Sequence, residues 1–202
     1  MNELVKMVVV LTVLSASSGL ILASVRDMTM DQIKYQQLVN EKAPAIKKIL
    51  GKTSNDPLKS TFEITEGKMS TEFFIGNYDN DSKTIVFESF GTGFDGKIGV
   101  MVGVNLNDDK IKGIGVTTHS ETPGLGSRAK TELPFSAQFS GMDIASSFKV
   151  KADGGQVDAL SGATITSRGV CMAAANAVDL YKRFKPQLIE KAKAASQNQQ
   201  GE

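Results

Sequence analysis

The N-terminal part of the chain begins with an uninterrupted apolar run. Residues Met7 to Val25 contain no charged side chain. As a helix they would extend roughly 28 Å, which is close to the hydrocarbon thickness of a bilayer. The run is longer than the apolar core of a typical signal peptide, and its small-residue site at Ser15–Ser17 is a weak cleavage site. The pattern therefore predicts an uncleaved transmembrane anchor over residues 1–26, with a cleaved signal peptide as the alternative.

Helical spacing continues beyond the apolar run. Apolar residues between Asp27 and Leu50 recur at helical intervals, and Pro44 interrupts the pattern. A turn-rich joint follows at Gly51–Pro57. We therefore predict a helical stalk or linker over residues 27–56, leading away from the membrane.

Alternation of apolar and polar residues, which is typical of β-strands, begins after the joint. Strands are predicted at Thr61–Thr65, Ser70–Ile75, Thr84–Phe90, Lys97–Asn105 and Lys110–Thr118. The last two are expected to form a hairpin at the centre of an antiparallel sheet. Gly99 and Gly103 share one face of the first of these two strands, which indicates a close approach by another group.

Helical spacing returns near the C-terminus. A short helix is predicted around Pro134–Phe139, a brief strand near Phe148–Val150, and a final helix from about Thr166. The apolar face of the final helix should pack on the sheet. Its members are Val170, Ala174, Ala177, Val178, Tyr181 and Phe184. The predicted fold class is α+β: a transmembrane helix, an antiparallel-sheet domain with packed helices over residues 57–190, and a flexible tail over 191–202.

Composition narrows the classes of function. Lys and Arg total 23 against 22 for Asp and Glu, so the chain has no overall charge that would attract nucleic acid. Cys171 and His119 are the only cysteine and the only histidine, which is too few for a zinc or iron–sulfur site. Any cofactor is therefore expected to be organic.

The segment Asp158–Thr164 is small and polar, and it directly precedes the final helix. The first turn of a helix has unpaired N–H groups and a partial positive charge, so a phosphate near Thr164 would find hydrogen-bond donors. Gly162 would let a large group approach the backbone closely. The alternative is an ordinary helix cap, in which Thr164 or Thr166 accepts a hydrogen bond from a first-turn amide.

The same segment resembles the motif Asp-x-x-Ser/Thr-Gly-Ala-Thr, at which a flavin transferase attaches FMN to protein. The resemblance implies that Thr164 carries the cofactor, with its hydroxyl esterified to the FMN phosphate and FAD as the donor. Asp158, Ser161, Gly162 and Ala163 would then serve chiefly for recognition by the transferase.

A second segment, His119–Gly126, is similar to the Glu-Thr-Pro-Gly-Leu-Gly segment of FMN-binding domains in the Rnf and Na⁺-pumping quinone reductase complexes. This resemblance implies that Thr122, Leu125 and Gly126 line the flavin. Without it, the segment would be a Pro-Gly turn with no function. The chain length is more similar to that of the G subunit of Rnf than to that of the longer C subunit of the quinone reductase.

Two further residues of this segment have open roles. Glu121 would either bond the flavin ring or its ribityl chain, or simply cap the turn. His119 lies at a strand end beside the expected site, where it would either contact the flavin or have a structural role.

The resemblance implies a membrane-anchored electron carrier with covalent FMN. It would be one subunit of a redox-driven ion translocase, in which electron transfer between ferredoxin and NAD drives ion transport. Its partners would be the other membrane subunits of Rnf and a flavin transferase. Outside the cytoplasm a tether would prevent loss of the flavin by dilution, so the FMN domain is expected on the periplasmic side of the inner membrane. The alternatives are a covalent-flavin domain serving another extracytoplasmic reductase or regulator, and a flavin-free binding or scaffold protein.

Overall fold

The chain folds as a long N-terminal helix followed by a sheet domain with packed helices, which confirms the predicted α+β class. The computed structural model describes residues 2–67, 69–79 and 82–197. The helices are α1 (Glu3–Gln37), α2 (Ala43–Leu50), α3 (Arg128–Thr131), α4 (Leu133–Ala137) and α5 (Thr164–Gln197). The strands are β1 (Thr61–Glu66), β2 (Met69–Asn77), β3 (Lys83–Thr92), β4 (Lys97–Asn105) and β5 (Ile111–Val116). The chain divides into two compact units, and the boundary between them lies between Asn40 and Glu41.

Helix α1 contains the apolar run and buries none of its residues. Among the described residues, one helical stretch, Glu3–Leu50, is long and apolar enough to cross a membrane by its length and composition. An apolar helical surface of this length that is left exposed is typical of a membrane-spanning segment.

The predicted stalk divides into two structurally different parts. A π-helical turn at Leu38–Lys42 follows α1, and Pro44, which has no N–H to donate, comes just after this turn at the start of α2. Helix α2 then packs on β4 and β5. An ideal Cβ on Gly103 would lie 2.4 Å from Cγ2 of Ile49, so α2 is the group that approaches the glycine face of β4. The second half of the predicted stalk therefore packs with the sheet.

The sheet has five antiparallel strands in the order β1-β2-β3-β4-β5. The expected position of the β4–β5 hairpin at the centre is wrong, because β3 is central and β5 lies at an edge. At the outer edge of β5, one residue makes backbone hydrogen bonds to a later segment. The Ile111 N–H donates to the Met142 carbonyl at 2.8 Å, and the Gly141 N–H donates to the Ile111 carbonyl at 2.8 Å. Within the described residues these contacts do not extend into a sixth strand.

Helix α5 covers the other face of the sheet and packs mainly on β3, with further contacts to β4. The predicted apolar face of the final helix is buried throughout, from Val170 to Phe184. The helix starts at Thr164, two residues before the expected start, and it continues to Gln197. Residues 191–197 of the predicted tail are thus helical, and residues 198–202 lie outside the described residues.

The end of β3 touches the backbone of α5 near its start. An ideal Cβ on Gly91 would lie 1.9 Å from the Gly169 carbonyl oxygen, and one on Gly169 would lie 2.7 Å from the Thr92 carbonyl oxygen. Further along the helix, the Asn176 amide donates to the Phe90 carbonyl at 2.8 Å. Backbone contact at this point fixes the distance between the helix and the strand.

We predict that Gly91→Ala destabilises the domain, because the added methyl group would displace backbone atoms of α5. The free energy of unfolding should fall by about 1–3 kcal/mol, as for other overpacked positions. The measurement is chemical denaturation of the full chain in detergent. Gly113→Ala is the matched control, because its Cβ would meet atoms of Ile49 at ordinary distances of 3.8 Å and above. Equal effects of the two substitutions would contradict the contact.

Candidate functional site

A cavity of about 350 Å³ lies at the N-terminal end of α5. Three segments of the chain form its wall: the loop between β3 and β4, the loop after β5, and the turn into α5. The lining residues are Phe94, Glu121, Thr122, Leu125, Gly126, Gly162, Ala163, Thr164, Ile165 and Thr166. The fold thus brings together the two segments that the sequence singled out.

The first turn of α5 presents free hydrogen-bond donors to this cavity. The Ala163 carbonyl accepts the Ser167 N–H at 3.0 Å, which makes Ala163 the residue that caps the helix. The amides of Thr164, Ile165 and Thr166 precede the first helical bond, and they have no acceptor within the described parts of the chain. Together with the helix dipole, these amides form an anion-binding end.

Three hydroxyl groups in this turn have different environments. Thr166 is 2% exposed and donates to Oε2 of Glu121. Ser167 is fully buried; its hydroxyl donates to the Ala163 carbonyl and accepts the Leu160 N–H, each at 2.9 Å. Thr164 is half-buried, lines the cavity and makes no side-chain hydrogen bond to any described residue. Neither threonine caps the helix, so the cap alternative is not what the structure shows.

Glu121 is a buried carboxylate, 5% exposed, whose two oxygens both bind protein groups. Oε1 accepts the Asp95 N–H at 3.0 Å, and Oε2 accepts the Thr166 hydroxyl. An ideal Cβ on Gly126 would lie 2.6 Å from Oε2 of Glu121 and 2.6 Å from the Thr166 hydroxyl oxygen. These contacts do not cap the turn that contains Glu121; they join it to the β3–β4 loop and to α5, and Glu121 also lines the cavity.

The loop after β5 forms a tight turn over the cavity. The Thr122 carbonyl accepts the N–H groups of Leu125 and Ser127, each at 3.2 Å. Gly162 has a φ of +76°, and an ideal Cβ there would lie 3.4 Å from Cδ2 of Leu125. The turn before α5 therefore meets this loop at a position where glycine is required by conformation.

The first residues of the motif lie outside the cavity lining. The Asp158 carboxylate is exposed and pairs with Nζ of Lys151 at 2.8 Å. Its backbone is held by the Gln138 side chain, which accepts the Asp158 N–H at 2.7 Å and donates to the Asp158 carbonyl at 3.2 Å. Ser161 is exposed, and its carbonyl accepts a hydrogen bond from Nη1 of Arg128 at 3.1 Å. Both motif residues are thus accessible from outside.

His119 also lies outside the cavity lining. Its Nδ1 is buried and has no hydrogen-bond partner among the described residues. Burial lowers the pKa of His119, and the nearby charge of Lys130 lowers it further, against an opposing effect of Glu121. The imidazole is therefore held neutral at pH values near its ordinary pKa.

Two residues of the cavity lining were not predicted from the sequence as site residues: Phe94 and Ile165. Phe94 is 70% exposed in the loop between β3 and β4, and Ile165 is exposed beside Thr164. The sequence does contain a sign of each exposed position. Phe94 is an aromatic residue inside a glycine-rich turn, and Ile165 does not fall on the helical spacing of the buried face of α5. Exposed apolar side chains next to a cavity are typical of a ligand site.

The comparisons with known proteins identify the relatives of this chain. A family model described as an FMN-binding domain matches residues 93–179, a range that contains every residue of the cavity wall. The G subunit of an ion-translocating oxidoreductase complex from Methanosarcina acetivorans is 33% identical over 180 residues, which cover 88% of this chain and 94% of the relative. The chain belongs to the G-subunit family of ion-translocating oxidoreductase complexes.

Other comparisons agree with membership of the G-subunit family. The corresponding protein of Vibrio parahaemolyticus, also named as a G subunit, is 30% identical over 186 residues, covering 86% of this chain and 87% of the relative. The crystal structure of the C subunit of the Na⁺-translocating NADH-quinone reductase from Parabacteroides distasonis superimposes with a TM-score of 0.50 and 25% identity. The superposition covers 68% of this chain and 74% of that structure. The predicted resemblance is therefore confirmed.

The residues of this G-subunit chain fit FMN. Phe94, Leu125 and Ile165 leave apolar surface exposed around the cavity, which suits an isoalloxazine ring. Free amides at the start of α5 suit a phosphate group, and the unbonded Thr164 hydroxyl lies among them. The cavity thus has an apolar wall and an anion-binding end, as a phosphorylated aromatic cofactor requires.

We predict that His119 makes the domain less stable in acid. Since its folded-state pKa lies below the ordinary value of 6.5, the unfolded chain takes up a proton first as the pH falls. The melting temperature should therefore decrease below about pH 6.5, and His119→Gln should reduce that decrease. Thermal unfolding at about pH 7.5 and about pH 5.5 measures the difference. An identical pH dependence in the variant would contradict the assignment.

Proposed function

We propose that this chain is a membrane-anchored electron carrier of an Rnf-type ion-translocating ferredoxin:NAD oxidoreductase complex. In this proposal it holds FMN covalently through a phosphoester on Thr164. The observation that carries the proposal is the Thr164 hydroxyl, which lines the cavity, has no hydrogen-bond partner among the described residues and stands beside three free amides.

Accessibility favours Thr164 over its neighbours as the attachment residue. The hydroxyls of Thr166 and Ser167 are buried and already bonded, so a transferase would have to open the turn to reach them. In the proposed reaction a flavin transferase transfers the whole FMN unit of FAD, through its phosphorus atom, to Oγ1 of Thr164. The hydroxyl loses its proton, AMP leaves, and a phosphoester forms.

The exposed start of the motif supports recognition by the transferase. Asp158 and Ser161 are accessible, and the two hydrogen bonds of Gln138 hold the backbone of Asp158 in place. Gly162 and Ala163 lead from these residues into the cavity. The enzyme would therefore meet an ordered segment whose end presents the Thr164 hydroxyl.

Bound FMN accepts and passes on electrons singly or in pairs, so the protein has to supply position, shielding and access. The side chains of Phe94, Leu125 and Ile165 would cover apolar parts of the ring, and Thr122 and Gly126 would complete the loop side of the site. The amides of the first turn of α5 would bind phosphate oxygens. Because the cavity is open to solvent, electrons could reach a partner without crossing the domain.

Helix α1 would hold the domain at the membrane. The exposed apolar surface of α1 supports anchoring, and the relatives' name supports assembly with further subunits of an ion-translocating complex. A covalent cofactor is advantageous on the periplasmic side of the inner membrane, where a dissociated flavin would be lost. The ion path and the nicotinamide site would then belong to other subunits.

We predict that covalent flavin fluorescence depends on Thr164. Full-length chain produced with a flavin transferase should fluoresce in a denaturing gel, and Thr164→Ala should not. Thr164→Ser is the matched control, because it keeps the hydroxyl and should retain some of the signal. Fluorescence of Thr164→Ala equal to that of the wild type would contradict the assignment and move the attachment to Thr166 or Ser167.

We also predict that residues 1–26 remain on the mature protein and keep it in the membrane. Carbonate extraction should leave the full chain in the membrane fraction and release a variant that lacks residues 2–26. Protease added to intact spheroplasts should digest the FMN domain, while a cytoplasmic marker stays intact. A mature chain that starts after residue 26 would favour the signal-peptide alternative, and a protected domain would contradict the orientation.

A further inference from the structure

Glu121 connects the three segments that form the cavity wall. It lies in the loop after β5, its Oε1 accepts the Asp95 N–H of the β3–β4 loop, and its Oε2 accepts the Thr166 hydroxyl at the start of α5. No Lys, Arg or His forms an ion pair with it among the described residues, so these neutral donors balance a buried carboxylate. Loss of either donor would leave a buried oxygen without its partner.

The carboxylate is also closely packed on two sides. An ideal Cβ on Gly93 would lie 2.3 Å from Oε1 of Glu121, and one on Gly126 would lie 2.6 Å from Oε2. Two glycines therefore enclose the carboxylate from the β3–β4 loop and from its own loop. Such close packing restricts the Glu121 side chain on these two sides and thereby favours the observed position of Thr166.

The position of Thr166 determines where Thr164 points. Successive helical residues are rotated by about 100°, so positions two apart differ by roughly 200° and lie on opposite sides of the helix. When Thr166 turns to Glu121 in the buried part of the cavity wall, Thr164 lies on the more exposed side of the helix. The structure shows this arrangement, with Thr166 buried and Thr164 accessible.

We propose that Glu121 is a positioning residue for cofactor attachment: through Thr166 it fixes the rotation of the first turn of α5 and thereby presents the Thr164 hydroxyl. This inference rests on the proposed function, because it concerns the same hydroxyl. This positioning role requires no contact between Glu121 and the flavin. Its role is carried out through protein hydrogen bonds that exist before the cofactor arrives.

Four substitutions separate positioning from packing. Thr166→Val removes the donor to Glu121 at nearly constant volume, whereas Thr166→Ser keeps the hydroxyl. Glu121→Ala removes both hydrogen bonds. Glu121→Gln can keep both, because the amide oxygen can accept from the Asp95 N–H while the amide nitrogen donates to the Thr166 hydroxyl. Rescue by serine, which fills less space than valine but keeps the hydroxyl, is a result that loss of packing alone would not give.

The experiment measures the rate of covalent FMN incorporation into flavin-free full chain in detergent, with flavin transferase and FAD, by intact mass. Thr166→Val and Glu121→Ala should be slowed roughly tenfold or more, because a small misplacement of a reacting group strongly reduces rate. Thr166→Ser and Glu121→Gln should stay close to the wild type. Hydrogen exchange of the flavin-free chain should show faster exchange of the Ser167 amide in the two slow variants.

Thr117→Val is the matched control for stability. It removes a comparable hydrogen bond from a buried threonine to a glutamate, Thr117 to Glu88 at 2.6 Å, at residues outside the cavity lining. Incorporation into this variant should match the wild type. Wild-type rates in Thr166→Val, or equal slowing in Thr117→Val, would overturn the positioning role. A wild-type chain that takes up no flavin would instead overturn the proposed function and, with it, this inference.

Discussion

The packing of the first turn of α5 is the constraint on which the site depends. Gly91 and Gly169 let the end of β3 touch the helix backbone, so the helix cannot slide without a clash. The buried carboxylate of Glu121 then ties Thr166 to the two loops that cover the helix end. A rigid helix end is valuable because its free amides and its dipole act only over short distances.

This constraint explains how one turn carries several tasks. The inward side of the turn, with Thr166 and Ser167, is buried, and both hydroxyls are bonded. The outward side leaves Thr164 accessible, beside the apolar surfaces of Phe94 and Ile165. Under the proposed function, the same turn would accept the flavin, bind its phosphate and shield its ring. An electron carrier of this design needs no catalytic side chain of its own, since the cofactor supplies the redox chemistry.

Much of this arrangement could be predicted from the sequence, for identifiable reasons. Period-two alternation located the strands, and the buried face of α5 followed from helical spacing. The two motif segments indicated the family, and each of them forms part of the cavity wall. Periodicity could not reveal strand order, so β5 was misplaced at the centre. It also could not reveal that α2 packs on the glycine face of β4, because that contact joins residues far apart in sequence.

Phe94 was missed because its neighbours indicate only a turn, and its meeting with Leu125 and Ile165 at one cavity arises from the sheet topology. The hydrogen bonds of Glu121 could not be predicted for a similar reason. Its bonds to Asp95 and Thr166 join three distant segments, and a carboxylate beside a Pro-Gly turn gives no sign of them. The assignment of the site residues as flavin ligands stays a prediction, and for Thr164 it can be tested at a single peptide.

Trypsin should release residues 152–168 as one peptide, because Lys151 and Arg168 bound it and it contains no other basic residue. This peptide holds Ser161, Thr164, Thr166 and Ser167, so fragmentation by tandem mass spectrometry distinguishes all four hydroxyls. For chain isolated from its native membrane, we expect a phosphoester-linked FMN on Thr164 and none on the other three. An unmodified peptide, or FMN on Thr166, would contradict covalent attachment at Thr164.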